Sequence, residues 1–218
     1  MTPEDVCSID WGKVFDAIKD VIIACAAMFT AWVAWRGISK WQTEYRAKAY
    51  FEGARLVATA LYGLRDTLAY ARQAMVLTSE YPPGFNGFGN GATANAQCYA
   101  HVFANRLKPA AAAAIELQTA RHEAEALWGK DARELIDAVL KCVHELRVAM
   151  QAFVTNEQHA GADFKTDLNW GDLMMAWVFD VTRKYPEADL NPASKMISDR
   201  IAAVDHMLQQ HLRIGKNS

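Results

Sequence analysis

The side chains that could do chemistry in this chain are six histidines, a scatter of carboxylates and four cysteines. An imidazole that moves protons or holds a metal needs a partner on the same surface. A di-iron bundle would set a glutamate three residues before a histidine on facing helices. None of the six histidines has one, and HExxH and GxSxG are absent too. Arg121-His122-Glu123 and His144-Glu145 put imidazole beside carboxylate. Adjacent residues of a helix point to different faces, so both sets read as solvated surface groups. Arg200 and His206, in DRIAAVDH, stand six positions apart. Relative to the apolar stripe of their helix, Arg200 falls beside it and His206 nearly opposite, which leaves His206 exposed unless a partner covers it. These two are the candidates for catalysis; beyond them no catalytic residue, metal ligand set or cofactor is expected.

The glycine-rich segment Ser79 to Asn95 (SEYPPGFNGFGNGATAN) does not read as a phosphate cradle. It lacks GxxxxGK[ST], and no lysine follows at a helix start. Pro82-Pro83 should end a helix, and Gly84, Gly87, Gly89 and Gly91 should stop another from starting, so a surface connector is expected. Cys7, Cys25, Cys98 and Cys142 are scattered without a CxxC, which argues against a disulfide framework or a zinc site. The net charge of −2 provides no strong field for nucleic acid, so no nucleic-acid partner is expected.

The element that positions everything else is Val21 to Trp35 (VIIACAAMFTAWVAW), a strongly apolar run of fifteen residues without a charge. Its helical length is about 22 Å, against a hydrocarbon core of roughly 30 Å. Phe15 and Ile18 extend the apolar part, and Lys19 can snorkel outward. Trp11, Trp32, Trp35 and Trp41, with Arg36 and Lys40, fall where a headgroup layer would lie. At roughly 100° per residue, Asp16, Asp20, Ala24, Ala27, Ala31 and Ala34 share one face. Trp11, Phe15, Ile18, Ile22, Phe29 and Val33 lie opposite. Small residues let membrane helices approach closely, so this face suggests self-association. The alternative is a soluble bundle helix that buries its bulky side and turns alanines to water.

Orientation follows from charge. Two lysines stand against five carboxylates before the run, a net −3. From Arg36 to Arg55 five basic residues stand against two glutamates, a net +3. Basic residues favour the C-terminal side as cytoplasmic, and anionic headgroups would attract them. Cys98 and Cys142 then lie in the reducing cytosol. The acidic start argues against a signal peptide. Ile22-Ile23-Ala24-Cys25 lacks the preceding apolar run of a lipoprotein cleavage box.

After the anchor the spacing predicts helices. The first continues from about Gly12 to about Leu77, with a buried stripe of Val57, Leu61, Leu64, Leu68, Ala71 and Met75. Gly37 and Gly53 are its expected bend points. A second runs from about Ala96 to Trp128, with Pro109 expected to kink or restart it and Ala110 to Ala114 giving a slim face. Gly129 stops it and Asp131 caps a third helix, which carries Leu135, Val139, Cys142, Leu146, Ala149 and Phe153 and fades at Asn156. Residues 158–170 read as a loop, Leu173 to Val181 as a short buried helix or a strand, and Tyr185 to Pro192 as a turn. A last helix spans about Ala193 to Arg213, with Ile197, Ile201, Val204, Leu208 and Leu212 as its stripe. The expected fold is all-α: a short acidic lead (1–11), a transmembrane helix (12–37), a cytosolic bundle of four or five helices (38–213) and a tail (214–218).

Two resemblances add expectations. Arg200 and His206 resemble the R-x5-H motif of HEPN ribonucleases, although Ile201 stands where that family usually has a polar residue. The resemblance implies RNA cleavage by the arginine and histidine of two protomers at a dimer interface. The single anchor is followed by Trp41, Glu44, Tyr45 and Arg46, then by Leu64, Arg65, Asp66, Ala71 and Arg72, then by Leu127 to Ala132. This layout is similar to that of uncharacterised single-pass bacterial membrane proteins. With the late R-x5-H, it also resembles the membrane accessory protein of RNA-targeting type VI CRISPR loci. That resemblance implies a HEPN-like helical domain, oligomerisation, permeabilisation of the bacterial inner membrane and a protein partner from a defence locus. Three functions are therefore expected as alternatives: an oligomeric pore-forming or membrane-perturbing protein, a membrane-tethered scaffold or sensor, and a membrane-bound HEPN-type ribonuclease. The partners expected are the lipid bilayer and further copies of the chain.

Overall fold

A computed structural model of the chain describes residues 11–85, 87–89, 91–180 and 191–212; within α1 the side chains of Trp11, Lys13 and Ala17 are also outside the description. Among the described residues there are six α-helices and one 3-10 turn, and no strand. α1 is Trp11–Ala71, α2 Ala92–Trp128, α3 Lys130–Gln158, α4 Ala162–Thr166, α5 Leu168–Val178 and α6 Pro192–Leu212; the 3-10 turn is Thr78–Glu80. The chain divides into two units, residues 1–49 and 50–218.

In the first unit the helix is uncovered. Every described residue from Gly12 to Lys48 is exposed. One helix in the described residues is long and apolar enough to cross a membrane by length and composition, and none of its most apolar stretch is buried in the chain.

The second unit has a core of its own. Val57, Leu61, Leu64, Leu68 and Ala71 of α1 are buried, but Met75 is 73% exposed. The predicted helix overran: α1 ends at Ala71, with Arg72 N still donating to Leu68 O and Gln73 N turning onto Tyr70 O. α3 is central, packing against α2, α5 and α6. Ile136, Val139, Cys142, Leu146, Ala149 and Phe153 are buried on it, while Leu135 is partly buried. Ile197, Ile201, Val204 and Leu208 bury the inner side of α6, and Leu212 packs partly buried at its end. Phe103, Phe153 and Phe179 meet largely edge to face at one end of the core, the arrangement that the ring quadrupole favours.

The helix ends account for most differences from the expected boundaries. α2 starts at Ala92, earlier than the predicted Ala96. It runs unbroken through Pro109, which lies on the exposed side, where water can take the carbonyl that proline leaves unpaired. Gly129, at φ 81, both ends α2 and starts α3, so the expected Asp131 cap falls inside the first turn instead. α3 continues to Gln158, past Asn156, and the Asn156 side chain reaches over to the first turn of α4, where its Oδ1 accepts from Phe164 N at 2.9 Å. The loop expected over 158–170 is in fact α4 and the start of α5, with Asp167 Oδ1 accepting from Trp170 N at 3.0 Å. Leu173 to Val178 is helical within α5, which excludes the strand alternative there. The expected turn over 185–192 falls mostly on residues outside the description. Its last residue, Pro192, opens α6 as a first-turn proline. The lead and the tail lie outside the described residues but for Trp11, which opens α1.

Candidate functional site

Two places on the molecule have the character of functional sites, one in each unit. The first is the uncovered helix. Asp16, Asp20, Ala24, Ala27, Ala31 and Ala34 are all exposed along α1, and so are the bulky Phe15, Ile18, Ile22, Phe29 and Val33. At the C-terminal end of the apolar stretch, Trp32, Trp35 and Trp41 project outward, Trp35 the most at 77% exposure. The Arg36 guanidinium lies over the Trp32 ring at 5.3 Å, and Trp41 sits against Tyr45 with ring centroids 5.7 Å apart. Lys40 reaches toward Glu44 at 3.8 Å, one turn on. Aromatic rings and basic groups are thus interleaved from Trp32 to Tyr45, and the helix itself brings them together through its i, i+4 neighbours.

The second is a cavity of about 470 Å³ between α1 and α6, within the unit 50–218. Leu68, Ile197 and Ile201 form its apolar middle. At one end Tyr62 donates to Asp205 Oδ1 at 2.5 Å, beside Arg65. At the other end are Arg72, Asp180 and Ser194. Arg72 is 3% exposed. Its Nε donates to Trp177 O at 2.9 Å and its Nη2 to Ala176 O at 2.8 Å, carbonyls at the end of α5 that no helical N–H reaches. Burial pushes the Arg72 guanidinium below its ordinary range, against the pull of the Asp180 carboxylate. Asn191, also buried, ties the same corner together. Its Oδ1 caps α6 by accepting from Ser194 N at 2.7 Å and also accepts from Arg72 Nη2 at 3.2 Å. Its Nδ2 donates to Ala176 O and Phe179 O.

The Arg200 and His206 of the sequence motif are not brought together in the chain. Arg200 turns inward to α3, where Nη1 donates to Glu145 Oε2 at 2.7 Å, with Ala138 O and Cys142 Sγ each at 3.3 Å. The Glu145 carboxylate raises the Arg200 guanidinium above its ordinary range, and burial pushes the Cys142 thiol up. His206 is exposed. The expectation that the His-Glu and Arg-His sets are plain solvated groups needs correcting at two residues, Glu145 and Arg121. Glu145 is held by Arg200, and Arg121 is mostly buried with Nη1 on Asp137 at 2.5 Å; His122 and His144 are exposed as expected. No group of three or more His, Cys, Asp or Glu residues gathers into a metal-holding set among the described residues.

Sequence reasoning missed the buried arginines. Arg106 is 1% exposed and binds both Glu80 oxygens, at 2.7 and 2.8 Å, as well as the carbonyls of Gln73 and Met75. Both Arg72 and Arg106 continue the three-and-four spacing of an apolar stripe, after Leu68 on α1 and after Phe103 on α2. A charged residue on a core stripe is the signal that could have found them.

The described residues therefore define an all-α protein with one long apolar helix and a helical domain that has its own core. Compared with family models, with curated proteins and with solved structures, the chain matches none.

Proposed function

We propose that this is a single-pass membrane protein whose anchors self-associate and whose helical domain works on the cytoplasmic side. One observation carries the reading: α1 leaves Val21, Ile22, Ile23, Met28, Phe29, Trp32 and Val33 exposed around more than half of its circumference, and the small residues of the remaining face are exposed too. Leaving a large apolar side chain in water forgoes about 1.5–3 kcal/mol relative to burying it. A lipid bilayer covers such a helix on every face at once, whereas a neighbouring soluble domain covers only one. The outward tryptophans and Arg36 and Lys40 suit the cytoplasmic headgroup layer, and the basic flank sets the orientation. Carbonate extraction, together with protease treatment of spheroplasts, tests this. The protein should stay with the membrane and its C-terminus should be protected. Release as soluble protein would overturn the reading.

In its finer form, the reading has the small face assemble the anchors in a bacterial inner membrane into a pore or membrane-perturbing complex. Asp16 and Asp20 then ring the outer mouth above Ala24, Ala27, Ala31 and Ala34, since carboxylate rings favour cations and close helix contact needs small residues. A role in defence rests on the resemblance to type VI accessory proteins. Size analysis of the detergent-purified protein, with planar-bilayer recordings, tests the assembly and the pore separately.

The second reading is a tethered sensor or scaffold without a pore, favoured by the cavity between α1 and α6. Bilayer insertion without current under any activating condition would make it the better account. The ribonuclease reading has less support, because Arg200 is engaged by Glu145 of its own chain.

A further inference from the structure

We infer that the cavity between α1 and α6 binds a small zwitterion with an apolar side chain, of the free α-amino-acid class. The inference rests on how the charges lining the cavity are spent. Two arginines and two aspartates line it, so the wall has no net charge and a purely anionic or purely cationic ligand gains no overall field. The outer pair has partners of its own, and Arg65 is open to water. Arg65 Nε donates to Asp66 at 2.9 Å, while Asp205 accepts from Tyr62 through Oδ1 and from Gln209 Nε2 at 2.7 Å through Oδ2.

The inner pair has capacity left over among the described hydrogen bonds. Arg72 spends Nε and Nη2 on the end of α5 and on Asn191, and its Nη1 makes no hydrogen bond to the described residues. Asp180 accepts from Ser194 Oγ at 2.7 Å through Oδ1 alone among its described hydrogen bonds. The backbones of the two residues are joined, Asp180 N donating to Arg72 O at 2.9 Å, and their side-chain charges act on each other through space. A buried guanidinium and a carboxylate, each with capacity left among the described residues, therefore line the same end of one cavity. A carboxylate fits the first, and an ammonium fits the second. Beyond them the apolar middle at Leu68, Ile197 and Ile201 takes a hydrocarbon side chain rather than a third polar group.

Arg72 cannot be shifted to bind the ligand without giving up its bonds to the Ala176 and Trp177 carbonyls, of which Ala176 O alone keeps a second donor, Asn191 Nδ2. Its position is thus set by the fold before any ligand arrives, which reduces the ordering cost of binding. The inference is independent of the membrane reading, since it concerns only residues of the unit 50–218.

The test is isothermal titration of the full chain in detergent micelles with leucine, isopentylamine (its decarboxylated form) and 4-methylpentanoate (its deaminated form). Leucine should bind saturably, one per chain, at roughly micromolar to millimolar Kd. Each half-ligand should bind at least about tenfold more weakly, a loss of about 1.4 kcal/mol. Asp180→Asn keeps the acceptor for Ser194 and should weaken leucine by about tenfold while leaving the melting temperature in place. Ala202→Trp, on the exposed rim, should abolish binding by filling the cavity. The inference is overturned if leucine and phenylalanine both fail to bind saturably. It is equally overturned if a half-ligand matches leucine, or if the folded Ala202→Trp variant binds as the unaltered chain does.

Discussion

Replacing Arg106 with methionine should destabilise the domain strongly, even though the new side chain is apolar and similar in length. The guanidinium joins α2 to the segment that leaves α1: two bonds to Glu80, one to Met75 O and one to Gln73 O. Methionine fills the space of the stem but leaves the Glu80 carboxylate, only 17% exposed, with the Leu77 N–H alone and without its cation, and takes the donor from two carbonyls. Breaking a buried pair by removing one partner costs about 3–5 kcal/mol. In a domain of this size each kcal/mol moves Tm by about 2–4 °C, so the midpoint should fall by about 6–20 °C. Thermal unfolding of the full chain in micelles, monitored by circular dichroism, measures it. Adding Glu80→Gln should recover part of the loss, because the stranded charge is gone. The pH dependence provides an independent check. Arg106, with help from the Leu77 N–H, holds the Glu80 carboxyl below the usual carboxylate range. A depressed folded value means stabilisation that is complete above the unfolded pKa and is lost as pH falls through the folded one. The Arg106→Met variant should lack most of that acid slope. A loss under about 1 kcal/mol, the size of an exposed ion pair, would refute the reasoning.

Asn191→Asp keeps the α6 cap but loses the two donors to Ala176 O and Phe179 O, so denaturant unfolding should show a loss of about 1–3 kcal/mol; no change would mean that water replaces them. Gly171→Ala should destabilise by about 1–3 kcal/mol despite alanine's better helix propensity, because the new Cβ would lie 2.8 Å from Phe164 Cβ; a stabilised variant would show that α4 yields freely. Arg200→Ala and His206→Ala should leave any overexpression phenotype largely intact; RNA cleavage by the pure protein that disappears in both variants would contradict this. Ala27→Leu or Ala31→Leu should block assembly by overpacking the small face, and asparagine at both Asp16 and Asp20 should weaken cation preference with the oligomer intact. Unaltered oligomer size in the leucine variants would remove the small face from the contact.

The stripes were legible because a helix repeats every 3.6 residues and core positions must then recur at threes and fours. Val57 to Ala71, Val139 to Phe153 and Ile197 to Leu208 are buried as that spacing requires. Helix ends were read less well. Met75 continues the period of α1, yet the chain has already left the helix, because Arg106 offers its donors to the carbonyls of Gln73 and Met75. Residues 158–170 look like a loop by their polarity, yet α4 and α5 form there, with Asn156 and Asp167 accepting from N–H groups of their first turns. Side-chain caps count for little in a hydropathy pattern, but each satisfies a backbone donor that would otherwise have none.

Composition and periodicity by themselves determined that this chain is helical, that one apolar run near its start stands apart, and which side of each later helix turns inward. They could do so because hydrophobic burial depends on residue type and on the fixed pitch of the helix, both of which are local properties. Only the tertiary structure decided which carbonyls Arg72 and Arg106 bind, that Arg200 answers to Glu145 fifty-five positions away, and that a cavity opens between α1 and α6. Those outcomes depend on which carbonyls and carboxylates the packing brings within hydrogen-bond reach, and sequence spacing carries no information about partners on other helices.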